Sequence, residues 1–215
     1  MAAPVCYKLH NQNLWLSATR VLFWEEAQTL IASDLHLGKT GHFRKSGIAV
    51  PQAVYKEDLQ RLVQALQHFQ PKQLVVVGDF FHSHANKELD LFSKWRSNFA
   101  SLEITLVKGN HDILQADWYT ANQITVIEQL QQSPFRFLHD PATSTITQDY
   151  VLSGHIHPGI RVGGLGKQSV RLPCFYFGKQ QGILPAFSGF TGLATIEPNN
   201  GDAVFAIVKN TIVAF

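Results

Sequence analysis

Three apolar runs that each end in a polar cluster constrain this chain more than any other feature. Residues 29–32 lead into Ser33-Asp34, residues 74–77 into Gly78-Asp79, and residues 104–107 into Gly109-Asn110-His111-Asp112. The run Leu74-Val75-Val76-Val77 has no polar alternation, so both of its faces must be covered, as in a strand sandwiched between other layers. Helical patterns separate the runs. Pro51 opens the first, in which Tyr55, Leu59, Leu62, Leu66 and Phe69 recur at steps of three and four, and Pro71 closes it. Residues 88–99 form the second, with Leu91, Phe92, Trp95 and Phe99 expected inward. Beyond residue 123 the pattern turns to strands at 124–127, 135–138, 150–152, 172–177 and 203–208, with Asn199-Asn200-Gly201-Asp202 as a hairpin turn before the last. The glycine-rich, basic stretch 159–179 reads as a loop or insertion. Strand-helix-strand units followed by strands imply an α/β sandwich with two central sheets, and residues 1–215 are expected to form one domain.

Composition enters where it excludes alternatives. Cys6 and Cys174 are the only cysteines, too few for a disulfide framework and not spaced as a metal motif. The N-terminus has no basic segment followed by an apolar one, and no apolar run reaches membrane-spanning length, so a cytoplasmic setting without membrane partners is the expectation. A net charge of +2 argues against a strongly basic nucleic-acid coat protein and leaves room for a local basic patch. The ten histidines are unevenly placed, and they decide more.

Five segments put metal-compatible side chains directly after strands: Asp34-Leu35-His36, Gly78-Asp79, Gly109-Asn110-His111-Asp112, Leu138-His139 and Gly154-His155-Ile156-His157. In open α/β sheets, sites assemble outside the carboxyl ends of strands. Each segment alone is common, but the ordered set resembles the calcineurin-like metallophosphoesterase superfamily, whose motifs run DxH, GD, GNHD, H and GHxH. The resemblance implies a four-layer α/β/β/α sandwich with two mixed sheets at its centre. It also implies two divalent metal ions, manganese by preference with iron or zinc as alternatives. One ion would be held by Asp34, His36, Asp79 and His157, the other by Asp79, Asn110, His139 and His155. A hydroxide bridging the ions would attack phosphorus, His111 would protonate the leaving oxygen as general acid, and Asp112 would fix the tautomer and orientation of His111. The charge balance leaves about one positive unit to meet the substrate, which leans slightly towards a diester.

His82, three residues past Asp79, occupies a position where repair nucleases of the superfamily carry histidine. It is either a group that orients phosphate or handles a proton, or an ordinary surface histidine. Further pieces, Ser33 to Lys39, Phe43-Arg44, Gly47, Pro51, Leu172-Pro173-Cys174 and Leu184-Pro185-Ala186-Phe187, are similar to the ligase-associated DNA damage response metallophosphoesterases. That family implies a DNA-directed phosphodiesterase or endonuclease in repair, associated with a DNA ligase, a helicase and an exonuclease. Lys39, Arg44 and Lys45 would then meet a nucleic-acid backbone, or else form a solvated loop. A small-molecule phosphoesterase is the alternative reading. A noncatalytic scaffold fits less well, because decay should remove ligands or the proton donor first and all are present.

Overall fold

The computed structural model of the protein describes residues 2–39, 53–82, 87–143, 148–164 and 168–215. Its first sheet has seven strands in sequential order: β1 (Val5–Leu9), β2 (Gln12–Ser17), β3 (Val21–Trp24), β4 (Thr29–Ala32), β5 (Gln73–Val77), β6 (Glu103–Val107) and β7 (Ile124–Ile127). The first four pair antiparallel, and β4 to β7 pair parallel. Helices α1 (Ala53–Phe69) and α2 (Lys87–Ser97) make the crossovers, and the short α3 (Ala116–Ala121) precedes β7. The β1–β2 hairpin turns through His10 and Asn11, both at positive φ, the conformation that a two-residue turn needs to match strand twist.

The second sheet contains β8 (Leu130–Gln132), β9 (Phe135–Leu138), β10 (Tyr150–Ser153), β11 (Pro158–Gly163), β12 (Ser169–Phe177), β13 (Gln181–Ile183), β14 (Ala194–Thr195), β15 (Ala203–Val208) and β16 (Thr211–Ala214). Its order is β14-β11-β12-β13-β10-β9-β8, with β15 added on β12 and β16 on β15. Strands β9, β10 and β13 are parallel to one another. The architecture is therefore the α/β sandwich with two mixed sheets that the sequence implied.

Two cores explain the unbroken apolar runs. Leu74 and Val76 of β5 face the helices, together with Leu62, Leu66, Phe92 and Trp95. Val75 and Val77 face the other sheet, against Phe135, Phe137, Leu152 and Phe175. A strand buried on both faces shows no alternation. The outer face of the second sheet carries a small apolar cluster centred on Cys174, Val204 and Ala206, and no α-helix covers it among the described residues.

Three local expectations are corrected. Leu91 is 47% exposed: one helical step of about 100° from Phe92 takes it past the edge of the buried stripe. Within the stretch read as a loop, residues 159–163 and 169–177 are strands: β11 and β12 pair antiparallel there, and Cys174 to Phe177 continue onto β15. The turn at 199–202 exists, with the Asp202 amide donating to the Asn199 carbonyl, but it joins β14 and β15, which do not pair. The hairpin partner of β15 is β16.

Candidate metal centre

The carboxyl ends of the parallel strands from both sheets converge on one place. From the first sheet, β4 delivers Asp34 and His36, β5 delivers Asp79, and β6 delivers Asn110 and His111. From the second, β9 delivers His139, and β10 delivers His155 and His157. The structure gathers Asp34, His36 and His157 into one cluster and Asp79, His139 and His155 into another, with donor atoms within 4.8 Å of one another in each. His157 Nε2 lies 3.1 Å from Asp34 Oδ1. Asp79 Oδ2 lies 3.9 Å from His36 Nε2 and 3.5 Å from His139 Nε2, so this one oxygen faces both clusters. Asn110 Oδ1 is 3.2 Å from His139 Nε2, which places Asn110 with the second cluster.

The donor set fits cations. His36 and Asp34 are buried, yet neither ring nitrogen of His36 has a hydrogen-bond partner, and Asp34 Oδ1 has only the His157 ring nitrogen beside it. Buried polar atoms without partners are costly unless something charged meets them. Burial, assisted by the Lys39 ammonium, pushes the His36 imidazole down to about 3 against the opposing carboxylates of Asp79 and Asp34, which leaves it neutral and able to donate a lone pair. Burial also opposes a charge on His139, but Asp79 outweighs it and pushes that imidazole up to about 9. Burial alone would raise Asp79, whereas His139 and the His111 amide hold it down at about 2.

Backbone packing sets these groups. His139 Nδ1 donates to the Val77 carbonyl, which joins the two sheets and turns Nε2 towards Asp79. A Cβ at Gly78 would sit 1.9 Å from His139 Nδ1, one at Gly109 2.3 Å from Asp79 Oδ1, and one at Gly154 1.8 Å from Ser33 Oγ. The glycines of these motifs are thus the space into which the ligand side chains pack. Asp34, His36, Asp79, His155 and His157 all have positive φ, between 47° and 66°. Non-glycine residues reach that region only at a cost of order 1 kcal/mol or more each, and such outliers cluster at functional sites.

His111 and His82 flank the centre, with ring centroids 4.3 Å apart and 5.4 and 5.3 Å respectively from that of His36. Asp112 lies beside His111 in the chain: its Oδ1 accepts the Phe81 amide at 3.0 Å and its Oδ2 the Gly109 amide at 2.9 Å, so the carboxylate ties the β5 and β6 loops together. Burial raises its pKa to about 6 despite those two amides. Lys39 is near enough to the site for the Asp79 and Asp34 carboxylates to act on its ammonium, although burial lowers its pKa overall. Arg44 and Lys45 lie outside the described residues.

One group of supporting residues escaped the sequence analysis. Arg20 donates to the Ala186 and Ser188 carbonyls, while Arg61 bonds Asp58 and the Phe187 carbonyl and covers the Phe187 ring. Asp58 in turn accepts the Gly189 amide. The segment so held donates from Phe187 N to the Ser33 carbonyl at 2.7 Å and from Ser188 N to the Asp34 carbonyl at 3.1 Å. Its only sequence signal was an Asp and an Arg three apart on α1, which by itself reads as a surface ion pair.

This fold and site define a class, the phosphoesterases with metal ligands at the strand ends of paired sheets. Residues 27–145, more than half of the chain, match the model of the calcineurin-like phosphoesterase family. The chain belongs to that family and is a metal-dependent phosphoesterase. Among solved structures it is similar to the Pseudomonas putida nuclease MPE, at 28% identity and a TM-score of 0.83, with 98% of this chain and 100% of that one covered. Yfce, a phosphoesterase from E. coli, is more distant, at 13% identity and a TM-score of 0.45 over 86% of this chain and 96% of that one. No curated protein matches significantly. No helix among the described residues is long and apolar enough to cross a membrane.

Proposed function

We propose that this protein is a dinuclear-metal phosphodiesterase that cleaves DNA, with a role in DNA repair. The observation that carries the reading is the two clusters facing one oxygen of Asp79, in a chain similar over its whole length to a nuclease. Asp34, His36, Asp79 and His157 would hold one ion, and Asp79, Asn110, His139 and His155 the other. Such ions, manganese by our reading, supply Lewis-acid polarisation of a phosphoryl oxygen and a lowered pKa for water.

The protein's own groups do the rest. Asp79 Oδ1 accepts the His111 amide at 2.9 Å, which holds the general acid at a set distance from the shared carboxylate. His111 is only partly buried, so its ring can give a proton to a leaving oxygen entering from solvent. His82, against the same ring, orients the phosphate or passes the proton on. Asn110 and His155 are exposed. The ligand cluster therefore meets solvent directly, which suits a polymer strand better than an enclosed small molecule. Lys39, Arg44 and Lys45 are proposed to contact the backbone of that strand, and a DNA ligase, a helicase and an exonuclease are proposed as functional associates in a cytoplasmic pathway.

The test is activity of the manganese-reconstituted protein on single-stranded DNA, duplex DNA, cyclic nucleotides and phosphomonoesters. Cleavage of DNA that chelation abolishes and manganese restores is expected. Turnover of small diesters or monoesters with no cleavage of any DNA would replace this reading with the small-molecule one.

A further inference from the structure

The β11–β12 hairpin leaves the metal centre directly, since β11 begins at Pro158, the residue after His157. The Ala194 amide donates to the His157 carbonyl, so the base of the hairpin is tied to a candidate ligand. Arg161 on β11 lies directly opposite Arg171 on β12. Partners opposed in this way project from the same face, and like charges placed there destabilise the pair. The neighbouring pair, Ile160 and Leu172, packs against the outer-face cluster of Cys174, Val204 and Ala206. Arg161 and Arg171 therefore project from the opposite face, the side on which Phe175 further along β12 enters the core between the sheets.

Both arginines are exposed, and neither is within ion-pair distance of a carboxylate among the described residues. Arg161 Nε donates to Ser169 Oγ and one Arg171 nitrogen to the Leu193 carbonyl. Each guanidinium is thus braced by a neutral acceptor and keeps further donors for an anion. Two guanidiniums facing each other across a hairpin repel, and a polyanion lying along them relieves that repulsion. Arg161 is four residue steps from His157, about 13 Å along the strand. That span corresponds to about four steps of a duplex at 3.4 Å each.

We infer that Arg161 and Arg171 form a clamp for the phosphate backbone of a polynucleotide, engaging it a few nucleotides from the bond cleaved at the metal centre. The inference rests on the phosphodiesterase reading above and adds where the polymer runs. Guanidiniums suit this task because their planar donors match phosphate oxygens in pairs. Contacts of this kind position the strand and carry no sequence information.

The test is the double variant Arg161→Gln/Arg171→Gln of the full chain, with Lys94→Gln on the exposed side of α2 as a charge control. Binding of fluorescently labelled oligonucleotides is measured by anisotropy across a salt series, beside turnover of a small nitrophenyl diester. The clamp predicts weaker binding irrespective of sequence. The slope of log K against log salt should become shallower by about 1.4 for single strands or about 1.8 for duplex, the release of counterions from two contacts. Small-diester turnover and melting temperature should stay at wild-type values, and Lys94→Gln should leave the slope unchanged. An unchanged affinity and slope in the double variant overturns the clamp while leaving the phosphodiesterase reading intact. Parallel losses of small-diester turnover and melting temperature overturn it too, by showing that the pair serves the fold. A wild-type protein that turns over the diester but neither binds nor cleaves any polynucleotide removes the reading on which the clamp rests.

Discussion

Replacing Gly154 by alanine tests how tightly the centre is built. The added Cβ would stand 1.8 Å from Ser33 Oγ, 2.6 Å from Asp34 Oδ2 and 2.9 Å from the Val77 carbonyl oxygen. The carbonyl belongs to a strand buried on both faces and has little room to move. Ser33 Oγ would have to retreat by about 1.6 Å to reach ordinary contact, and Asp34 Oδ2 by about 0.8 Å, if ~3.4 Å is taken as the limit of a relaxed contact. Ser33 can do this only by giving up its hydrogen bond to Val77 and its contact with the Asp34 carboxylate. A buried hydroxyl left unpaired costs about 1–3 kcal/mol, and overpacking adds about as much, so a loss of roughly 2–6 kcal/mol is expected. In a chain of this size that lowers the melting temperature by roughly 4–24 °C. Asp34 Oδ2 also accepts the His155 amide, so its displacement should weaken metal binding in step with stability. Calorimetric melting and manganese titration of Gly154→Ala measure both, with Gly192→Ala as the control because nothing lies within 4 Å of a Cβ there. A Gly154→Ala protein with the melting temperature and manganese affinity of the wild type would refute the packing argument.

Four further outcomes are expected. Asp79→Asn should lose metal content and activity together while remaining folded, and two retained ions by elemental analysis with near-normal turnover would sink the shared-carboxylate assignment. His111→Ala should keep its metals yet lose about 10²- to 10⁴-fold in rate on esters with poor leaving groups. The defect should shrink for nitrophenolate, and an equal loss on both would point to positioning. Arg96→Ala should cost about 2–4 kcal/mol with no change in metal content, because the carbonyls of Asn122 and Leu102, which are buried, and of Phe99, which is partly so, lose their donor; calorimetry beside metal analysis separates the two effects. Arg61→Met should loosen the Phe187–Ser188 support and weaken the Asp34, His36 and His157 cluster by about 10- to 100-fold while sparing the other. Manganese titration that shows both sites weakened equally would contradict this.

The parts of the site legible in the sequence were those that local chemistry writes out. An unbroken apolar run such as residues 74–77 must be covered on both faces, and the polar residues after it must emerge at the strand's end; the motif order then brought Asp34, Asp79, Asn110, His139, His155 and His157 into one reading. Periodicity reports which face is apolar, but not which buried polar atoms meet. That the oxygens of Asp112 accept the amides of Phe81 and Gly109 could not be read from its place beside His111, because a buried carboxylate takes the donors that the fold aims at it. Arg161 and Arg171 looked like the basic content of a loop, since glycine and charge mask a strand whose partner is its own hairpin mate. The positive φ of five candidate ligands left no local trace, and the support of Asp34 by Arg20, Asp58 and Arg61 left only an i,i+3 pair that reads as a surface ion pair. Contacts across 120 residues or more, such as Arg61 with Phe187, depend on how two sheets close on each other, and only tertiary packing decides that.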